Sequence, residues 1–304
     1  MTTREEKELA RIAEREKAMG RLAASDVASL LDSDITSTIK MDEIQAMLRI
    51  MSVLNVMPTM AEIVQRQLVR HLQNADLTIN FKGLEFFQRL TGPEFTNTFA
   101  RNDNGPGYMT PRDQAEEKLF DYSNTKGRTG KPAVQGVLNR IRTFGSYTSG
   151  TNPTFRHESR PKYAALNFSG STNGPAKLYG KSYMVMKEYI KHNCTFTDKD
   201  SFGFINDADA GSKVANFHNL HRLIINMDER KLRALYNAAT GNTLPNANVG
   251  GMTDYIEAQL HANVMLNRDV AKMCVSRSEA QTEELRKNYE GFTKKLGIQL
   301  VYIS

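Results

Sequence analysis

The alternation of apolar and polar positions divides the chain into a helical first quarter and a mixed remainder. Apolar residues recur at helical spacing over residues 41–56. Thr59-x-x-Glu62 then has the spacing of a capping box, which predicts the start of a second helix. At 77–81 the sequence LTINF alternates with period two and predicts a strand. We therefore expect a helical region over 1–75.

The second region, over 76–304, mixes strand and helix patterns. Strand patterns are predicted at 77–81, 162–168, 182–190, 194–197, 253–266, 270–275 and the terminal IQLVYI. Helical patterns are predicted from Thr110 and Pro111 to residue 122, at 214–227, at 229–240 and at 279–296. Because these patterns do not alternate regularly as βαβ units, the expected fold class is α+β.

The composition is that of a folded protein with an excess of basic residues. The 304 residues carry a formal charge of +6 with a pI near 9.2, which favours acidic partners: nucleic acid, an acidic protein or an anionic cofactor. The basic residues are spread along the chain without an aromatic RNA-binding signature, so no nucleic acid is expected. No apolar run approaches the roughly 20 residues of a membrane span, and none is expected.

The cysteines and histidines indicate the redox compartment and whether a metal site is expected. Cys194 and Cys274 lie in different segments and predict free thiols in a reducing compartment. His218-x-x-His221 is the one close histidine pair, with no cysteine nearby, so no metal site is expected. The first residues lack the apolar core of a secretory signal, so Sec-type export is not expected.

One candidate site lies in a strand pattern that follows a Gly-rich loop. The period of two places Tyr255, Glu257, Gln259 and His261 on one face of a strand. An aligned carboxylate, amide and imidazole are suited to holding a polar substrate. A solvated face of a sheet would show the same pattern, and spacing alone leaves both interpretations open.

Two further segments carry polar groups suited to a nucleotide. Arg160 and Lys162 lie at the predicted start of a strand, where a guanidinium could bind a pyrophosphate, although basic residues there are usually surface residues. Residues 95–105 place amides and hydroxyls, including Asn97, between two phenylalanines, although turns require the same residue types.

Four ordered motifs resemble a bacterial family of unknown function that is similar to ADP-ribosyltransferases. The motifs here are RPKYAALN at 160–167, YGKS at 179–182, TFTDKDS at 195–201 and the segment 255–270, which contains YIEAQLH. The resemblance covers residues from about 77 to the C-terminus. It extends to the CteC-like type III secreted effectors, which modify a threonine of host ubiquitin.

The resemblance implies a fold, a substrate and roles for individual residues. The domain at 76–304 would be an ADP-ribosyltransferase-like mixed sheet using NAD as its substrate. Glu257 would be the late glutamate that stabilises the ribosyl cation, and Gln259 would orient the acceptor. The NAD-binding residues would be Asn97, Arg101, Arg160, Tyr163, Asn167 and Ser201. The chain lacks the Ser-Thr-Ser of better-known members, and residues 163–167 would replace it.

The expected function is therefore mono-ADP-ribosylation of a host protein, with a threonine hydroxyl of ubiquitin as the expected acceptor. The resemblance also implies delivery by a type III route into the host cytosol. Two alternatives stay open. A non-catalytic binding module for an acidic host protein would not cleave NAD. A metal-dependent hydrolase built on His218 and His221 would lose its activity with a chelator.

Overall fold

The computed structural model describes residues 33–90, 92–98, 105–120, 160–249, 251, 254–261 and 263–304. Its helices are α1 Ser33–Leu54, α2 Pro58–Asn74, α3 Gly83–Arg89, α4 Pro106–Phe120, α5 His221–Asn226, α6 Glu229–Thr240, α7 Leu266–Asp269 and α8 Glu283–Leu296. Its strands are β1 Leu77–Phe81, β2 Glu94–Phe95, β3 Lys162–Leu166, β4 Ser182–Met186, β5 Cys194–Thr197, β6 Ala215–Asn216, β7 Ile256–Leu260, β8 Val264–Met265, β9 Val270–Ser276 and β10 Gln299–Ile303. A helical region followed by mixed elements confirms the α+β class.

One eight-stranded sheet organises the molecule, in the order β10-β9-β4-β1-β3-β7-β5-β6. Neighbouring strands are antiparallel except β9 and β10, which run parallel. The strands β2 and β8 form a separate antiparallel pair. Most of the predicted strands are confirmed, with shorter bounds in several cases.

The two faces of the sheet differ in character. Alternate residues on one face join a single large hydrophobic core, which includes Leu77, Ile79, Ala164, Leu166, Phe196, Ile256, Ala258 and Leu260. The residues between them point to the other face, where Thr78, Tyr163, Thr195, Glu257 and Gln259 lie. The core thus fixes the register of the strands, and the register places the polar side chains together on the second face.

The sheet opens between its two central strands. β1 pairs with β3 at Leu77↔Leu166 and Thr78↔Ala165. Further along, β1 continues to pair with β4 as far as Phe81, while β3 continues to pair with β7 back to Lys162. The sheet is therefore two four-stranded halves joined by a short pairing, and a space opens where β1 and β3 part.

The N-terminal helices belong to the same core as the sheet. Ala46 and Ile50 of α1 and Leu68 and Leu72 of α2 are buried in the hydrophobic cluster that holds the apolar face of the strands. In addition, Arg233 of α6 donates a hydrogen bond of 2.9 Å to the carbonyl of Val53. The predicted division at residue 75 therefore separates segments of different secondary structure, but the packing crosses it.

The starts of two helices differ from the prediction because proline sets them. Pro58 occupies the first turn of α2, and the backbone N–H groups of residues 60 and 61 bond to the carbonyl of Met57. Thr59 therefore lies inside the helix and is not its cap. In the same way Pro106 begins α4, so Pro111, which the sequence placed in the first turn, lies inside the helix.

The helix predicted over 214–227 is shorter than expected. The segment begins with β6, and the side-chain carbonyl of Asn216 then accepts hydrogen bonds from the backbone N–H groups of His218 and Asn219. This local turn competes with a helix, as asparagine side chains commonly do. The helix α5 starts after it, at His221.

Among the described residues, no single helix has the length and apolar character needed to cross a membrane. Residues 39–54 and 58–74 reach such a composition only when taken together, and they are bent by 107° relative to each other.

Candidate active site

A cleft of about 260 Å³ lies where β1 and β3 part. Residues of both strands line it, together with residues of α3, α4 and β2. Its polar lining includes Asn80, Asn97, Thr98, Tyr108, Arg112, Lys162, Tyr163, Tyr179, Tyr255 and Glu257. A concave space with a few convergent polar groups is the usual form of a ligand site, and this volume is slightly below the usual range of about 300–1,000 Å³.

Glu257 on β7 is held at the cleft through one of its two carboxylate oxygens. The residue is 2% exposed. Its Oε1 accepts a hydrogen bond of 3.1 Å from the backbone N–H of Ser201 and another of 3.1 Å from the side-chain amide of Gln259. Within the described part of the chain, Oε2 accepts no hydrogen bond. Oε2 is therefore the oxygen available to a ligand in the cleft.

The surroundings of Glu257 make its charge sensitive to pH. Burial raises the pKa of this carboxyl to about 7, and the neighbouring Asp200 carboxylate acts in the same direction. Arg112 and the hydrogen bonds from Ser201 and Gln259 act in the opposite direction. Near neutral pH the protein therefore contains both the protonated and the ionised form of Glu257.

Arg112 on α4 faces the same cleft and was not predicted from the sequence. Its guanidinium carbon lies 4.0 Å from the ring centre of Tyr163 and 3.9 Å from that of Phe202. The guanidinium also donates a short hydrogen bond to the hydroxyl of Ser201. Its Nε, which is buried, has no hydrogen-bond partner among the described residues. A guanidinium fixed between two rings in this way is rigid, and only some of its N–H groups have hydrogen-bond partners.

Arg112 and Glu257 give the cleft two opposite charges. Burial opposes the charge of Arg112, but the nearby Tyr163 and Glu257 raise the pKa of its guanidinium, so it stays protonated. Ser201 connects the two residues, because its hydroxyl accepts from Arg112 while its backbone N–H donates to Glu257. The cleft therefore presents a cation and an ionisable carboxylate side by side.

Tyrosine hydroxyls surround this pair of charges. The Tyr255 hydroxyl donates to Asp200 over 2.8 Å, and the Tyr163 hydroxyl donates to Glu116 over 2.6 Å. Burial raises the pKa of both hydroxyls, so both keep their protons. The tyrosines thus line the cleft as neutral hydrogen-bonding rings.

Arg160, predicted to bind a pyrophosphate, points into the protein. Its side chain is fully buried and bonds to Glu116 over 2.8 Å and, through a short contact, to Asp113. Arg160 is not among the residues that line the cleft. Its carboxylate partners lie on α4, so Arg160 holds the helix that carries Arg112.

The other predicted site residues divide into those at the cleft and those behind it. Asn97 and Tyr163 line the cleft beside Glu257. Ser201 and Gln259 lie behind Glu257 and contact it directly. The side-chain amide of Asn167 closes a turn with Ser171 beyond the end of β3, away from the cleft. Arg101 lies outside the described residues.

Gln259 has a role different from the predicted one. It is completely buried, and its amide is fully used by Thr195, Thr197 and Glu257. The burial of Glu257 and Gln259 also excludes the interpretation of this strand as a solvated face. Gln259 orients the glutamate, and it has no free group for an acceptor.

The residues named for a metal hydrolase do not come together. His218 lies beside His192, with ring nitrogens 3.4 Å apart. The Nδ1 of His221 has no hydrogen-bond partner among the described residues. Across the part of the chain that the structure describes, no group of three His, Cys, Asp or Glu side chains could hold a metal ion.

Comparison with protein families gives a match over part of the chain. A family described as a protein of unknown function (DUF3626) matches residues 97–219. The matched segment contains α4, β3 and β5, and hence Arg112, Tyr163 and Ser201, but it ends before β7 and Glu257. No curated protein matches the chain.

Proposed function

We propose that this protein is a mono-ADP-ribosyltransferase that uses NAD as its donor substrate. The observation that carries the proposal is the placement of Glu257. Its buried carboxylate lines a cleft with one oxygen held by two N–H groups and the other open to a ligand. The resemblance of residues 255–270 to the late motif of the transferases assigns the catalytic role to the same glutamate.

The chemistry needs an anion at this position. When the bond between ribose C1′ and the nicotinamide nitrogen breaks, its electron pair leaves with nicotinamide, and positive charge develops on the ribose. A carboxylate fixed in advance stabilises that charge more than it stabilises the bound NAD. The hydroxyl oxygen of the acceptor then forms the new bond to C1′ and loses its proton, for which the ionised Glu257 can serve as the base.

Arg112 supplies the complementary charge for the donor. NAD carries a negatively charged pyrophosphate, and a guanidinium binds phosphate oxygens well. Arg112 lines the cleft, whereas Arg160 lies outside it and is paired with two carboxylates. We therefore assign to Arg112 the anion-binding role that the sequence gave to Arg160.

The acceptor and the delivery route rest on the resemblance alone. We propose a hydroxyl of a host protein as the acceptor, with a threonine of ubiquitin as the first candidate. Delivery by type III secretion into a host cytosol belongs to the same proposal.

Two measurements test the proposal. The protein is incubated with NAD, first alone and then with ubiquitin, and we expect release of nicotinamide and a gain of one ADP-ribose in the intact mass of ubiquitin. Nicotinamide release with unmodified ubiquitin would keep the transferase and reject this acceptor. If the protein neither binds nor cleaves NAD, the proposal is wrong, and the binding-module alternative takes its place.

A further inference from the structure

A series of hydrogen-bonded, buried polar side chains extends behind Glu257 and away from the cleft. Cross-strand pairing places Thr195 of β5 opposite Gln259 and Thr197 opposite Glu257. The Thr195 hydroxyl lies 2.9 Å from the amide oxygen of Gln259 and 2.8 Å from Nε2 of His261. All three residues are buried, and Gln259 and Thr195 are almost completely so.

With Glu257 ionised, the hydrogen bonds of this series are consistent in only one direction. The Thr195 hydroxyl has one proton, which it donates to the oxygen of Gln259, so His261 must donate its Nε2–H to Thr195. The amide nitrogen of Gln259 then points at Thr197 and at Oε1 of Glu257. Thr197 cannot donate in return, because its own proton goes to the carbonyl of Lys199.

The reversed orientation of Gln259 would be unfavourable. Its carbonyl oxygen would then face Oε1 of Glu257 and the acceptor side of Thr197, leaving acceptors in contact without a proton between them. A buried polar group without a partner costs about 1–3 kcal/mol. The direction of the amide is thus favoured at both ends of the series, by Thr195 at its oxygen and by Thr197 and Glu257 at its nitrogen.

We propose that Thr195 and His261 are positioning residues for Glu257. They fix the Gln259 amide in the orientation that donates to Oε1, and Oε2 is therefore the atom that faces the ligand and that gains or loses the proton. Neither residue lines the cleft. The importance of this series for catalysis rests on the proposed function, but its effect on Glu257 does not.

Other charged and titratable groups face Glu257, and a test must leave these residues unchanged. They are Arg112 from α4, Tyr163 from β3, Asp200 from the turn before the Ser201–Phe204 segment, Tyr179 from the Lys177–Tyr179 turn, and Tyr255 from the residue before β7. None of them bonds to the Thr195 hydroxyl, whose partners are Gln259 and His261. Changes at Thr195 therefore reach Glu257 through Gln259.

The test is a carbon-13 NMR titration of the Glu257 carboxyl in the full chain, assigned by its loss in Glu257→Gln. Thr195→Val keeps the shape of the side chain but removes the hydroxyl, so the Gln259 oxygen loses its donor, the amide is held less firmly, and its hydrogen bond to the ionised carboxylate weakens. We expect the Glu257 midpoint to rise by about 0.5–1 pH unit. Thr195→Ser keeps the hydroxyl and is expected to titrate like the parent.

A matched control and a second variant keep the result decisive. Thr293→Val removes another buried threonine hydroxyl, one that bonds to a carbonyl of α8, and it should leave the Glu257 midpoint unchanged. His261→Leu removes the residue that donates to Thr195, and it should also raise the Glu257 midpoint. This variant replaces Thr195→Val in the test if Thr195→Val does not fold. An unchanged midpoint in the folded Thr195→Val or His261→Leu protein would overturn the inference. No NAD is needed, so a failure of the proposed function would be seen separately.

Discussion

At the scale of single residues, the site depends on what sets the charge of the buried Glu257 carboxyl. Its pKa near 7 results from burial and from Asp200, which are opposed by Arg112 and two N–H donors. Only the ionised form can stabilise a ribosyl cation. We therefore expect kcat/KM for NAD cleavage to rise as the pH increases through about 7, because the group must lose its proton to act.

Replacement of Asp200 should move this pH profile towards acid. Asp200→Asn removes the like charge beside Glu257 and keeps the size of the side chain, so the pKa of Glu257 falls and the active form is present at lower pH. The measurement is kcat/KM for nicotinamide release against pH. Asp209→Asn, at an exposed position, serves as the control and should reproduce the parental midpoint. A profile of Asp200→Asn that stays in place or moves to higher pH would contradict this account of the charge.

Another prediction concerns the turn that borders the cleft. Gly180 has a φ of +132°, and a Cβ there would lie 2.0 Å from the carbonyl oxygen of Phe81. Gly180→Ala must displace the backbone of β1 at the cleft, and we expect a loss of more than about 2 kcal/mol in the free energy of unfolding.

Gly241→Ala is the matched control for this change. Gly241 also has a positive φ, of +72°, but a Cβ added there would meet no atom within 4 Å. Its cost should be limited to the backbone strain of about 1–2 kcal/mol. Urea denaturation measures both variants, and equal losses would show that the close approach at Phe81 has no role.

At the scale of elements, helix α1 tests whether the N-terminal region is part of the main core. Ile50 is fully buried against the core, whereas Leu48, two residues earlier on the same helix, is 55% exposed. We expect Ile50→Ala to cost about 2–5 kcal/mol and Leu48→Ala to cost less than about 1 kcal/mol. Thermal melting followed by circular dichroism should show one transition that moves as a whole in Ile50→Ala.

Two separate transitions, with only the first one shifted in Ile50→Ala, would contradict the shared core. They would support two independently folding parts divided near residue 75.

Elements with a strong local signal were predictable from the sequence. The helix α6 has the predicted bounds, since Asp228 caps its first turn and Gly241 ends it with a left-handed residue. The strand β1 was also predicted with its observed bounds, because LTINF alternates with period two. The start of α4 was missed because Pro106 and Pro111 both suit a first turn. The turn at Asn216 was missed because Val214 and the apolar residues after 219 continue a helical pattern.

Only part of the site could be predicted from the sequence, because only part of it depends on local spacing. The period of a strand places Glu257 and Gln259 on one face without the fold. Arg112 contacts Tyr163 and Phe202 only because α4 packs on the sheet. Both residues are distant from Arg112 in the sequence, so local patterns do not predict these contacts. One local signal existed: Tyr108, Arg112 and Glu116 follow each other at a spacing of four, which places all three on one face of a helix.

At the scale of the whole molecule, the apolar face of the sheet and its polar face have separate tasks. The helices α1, α2, α5, α6 and α8 contribute to the core on one face, which sets the strand register. The parting of β1 and β3 opens the other face to a ligand, and α4 brings a cation to meet the glutamate of β7. The catalytic claim therefore depends on one carboxylate at the centre of this arrangement.

The most direct measurement is NAD binding and ADP-ribose transfer by Glu257→Gln. Glutamine can still accept the two hydrogen bonds from Ser201 and Gln259, so the fold and NAD affinity should be kept, while transfer falls by a factor of about 10² or more. Glu284→Gln, at an exposed position of α8, should behave like the parent. If Glu257→Gln melts at the parental temperature and transfers ADP-ribose at the parental rate, Glu257 is not the catalytic residue, and the account of this cleft is wrong.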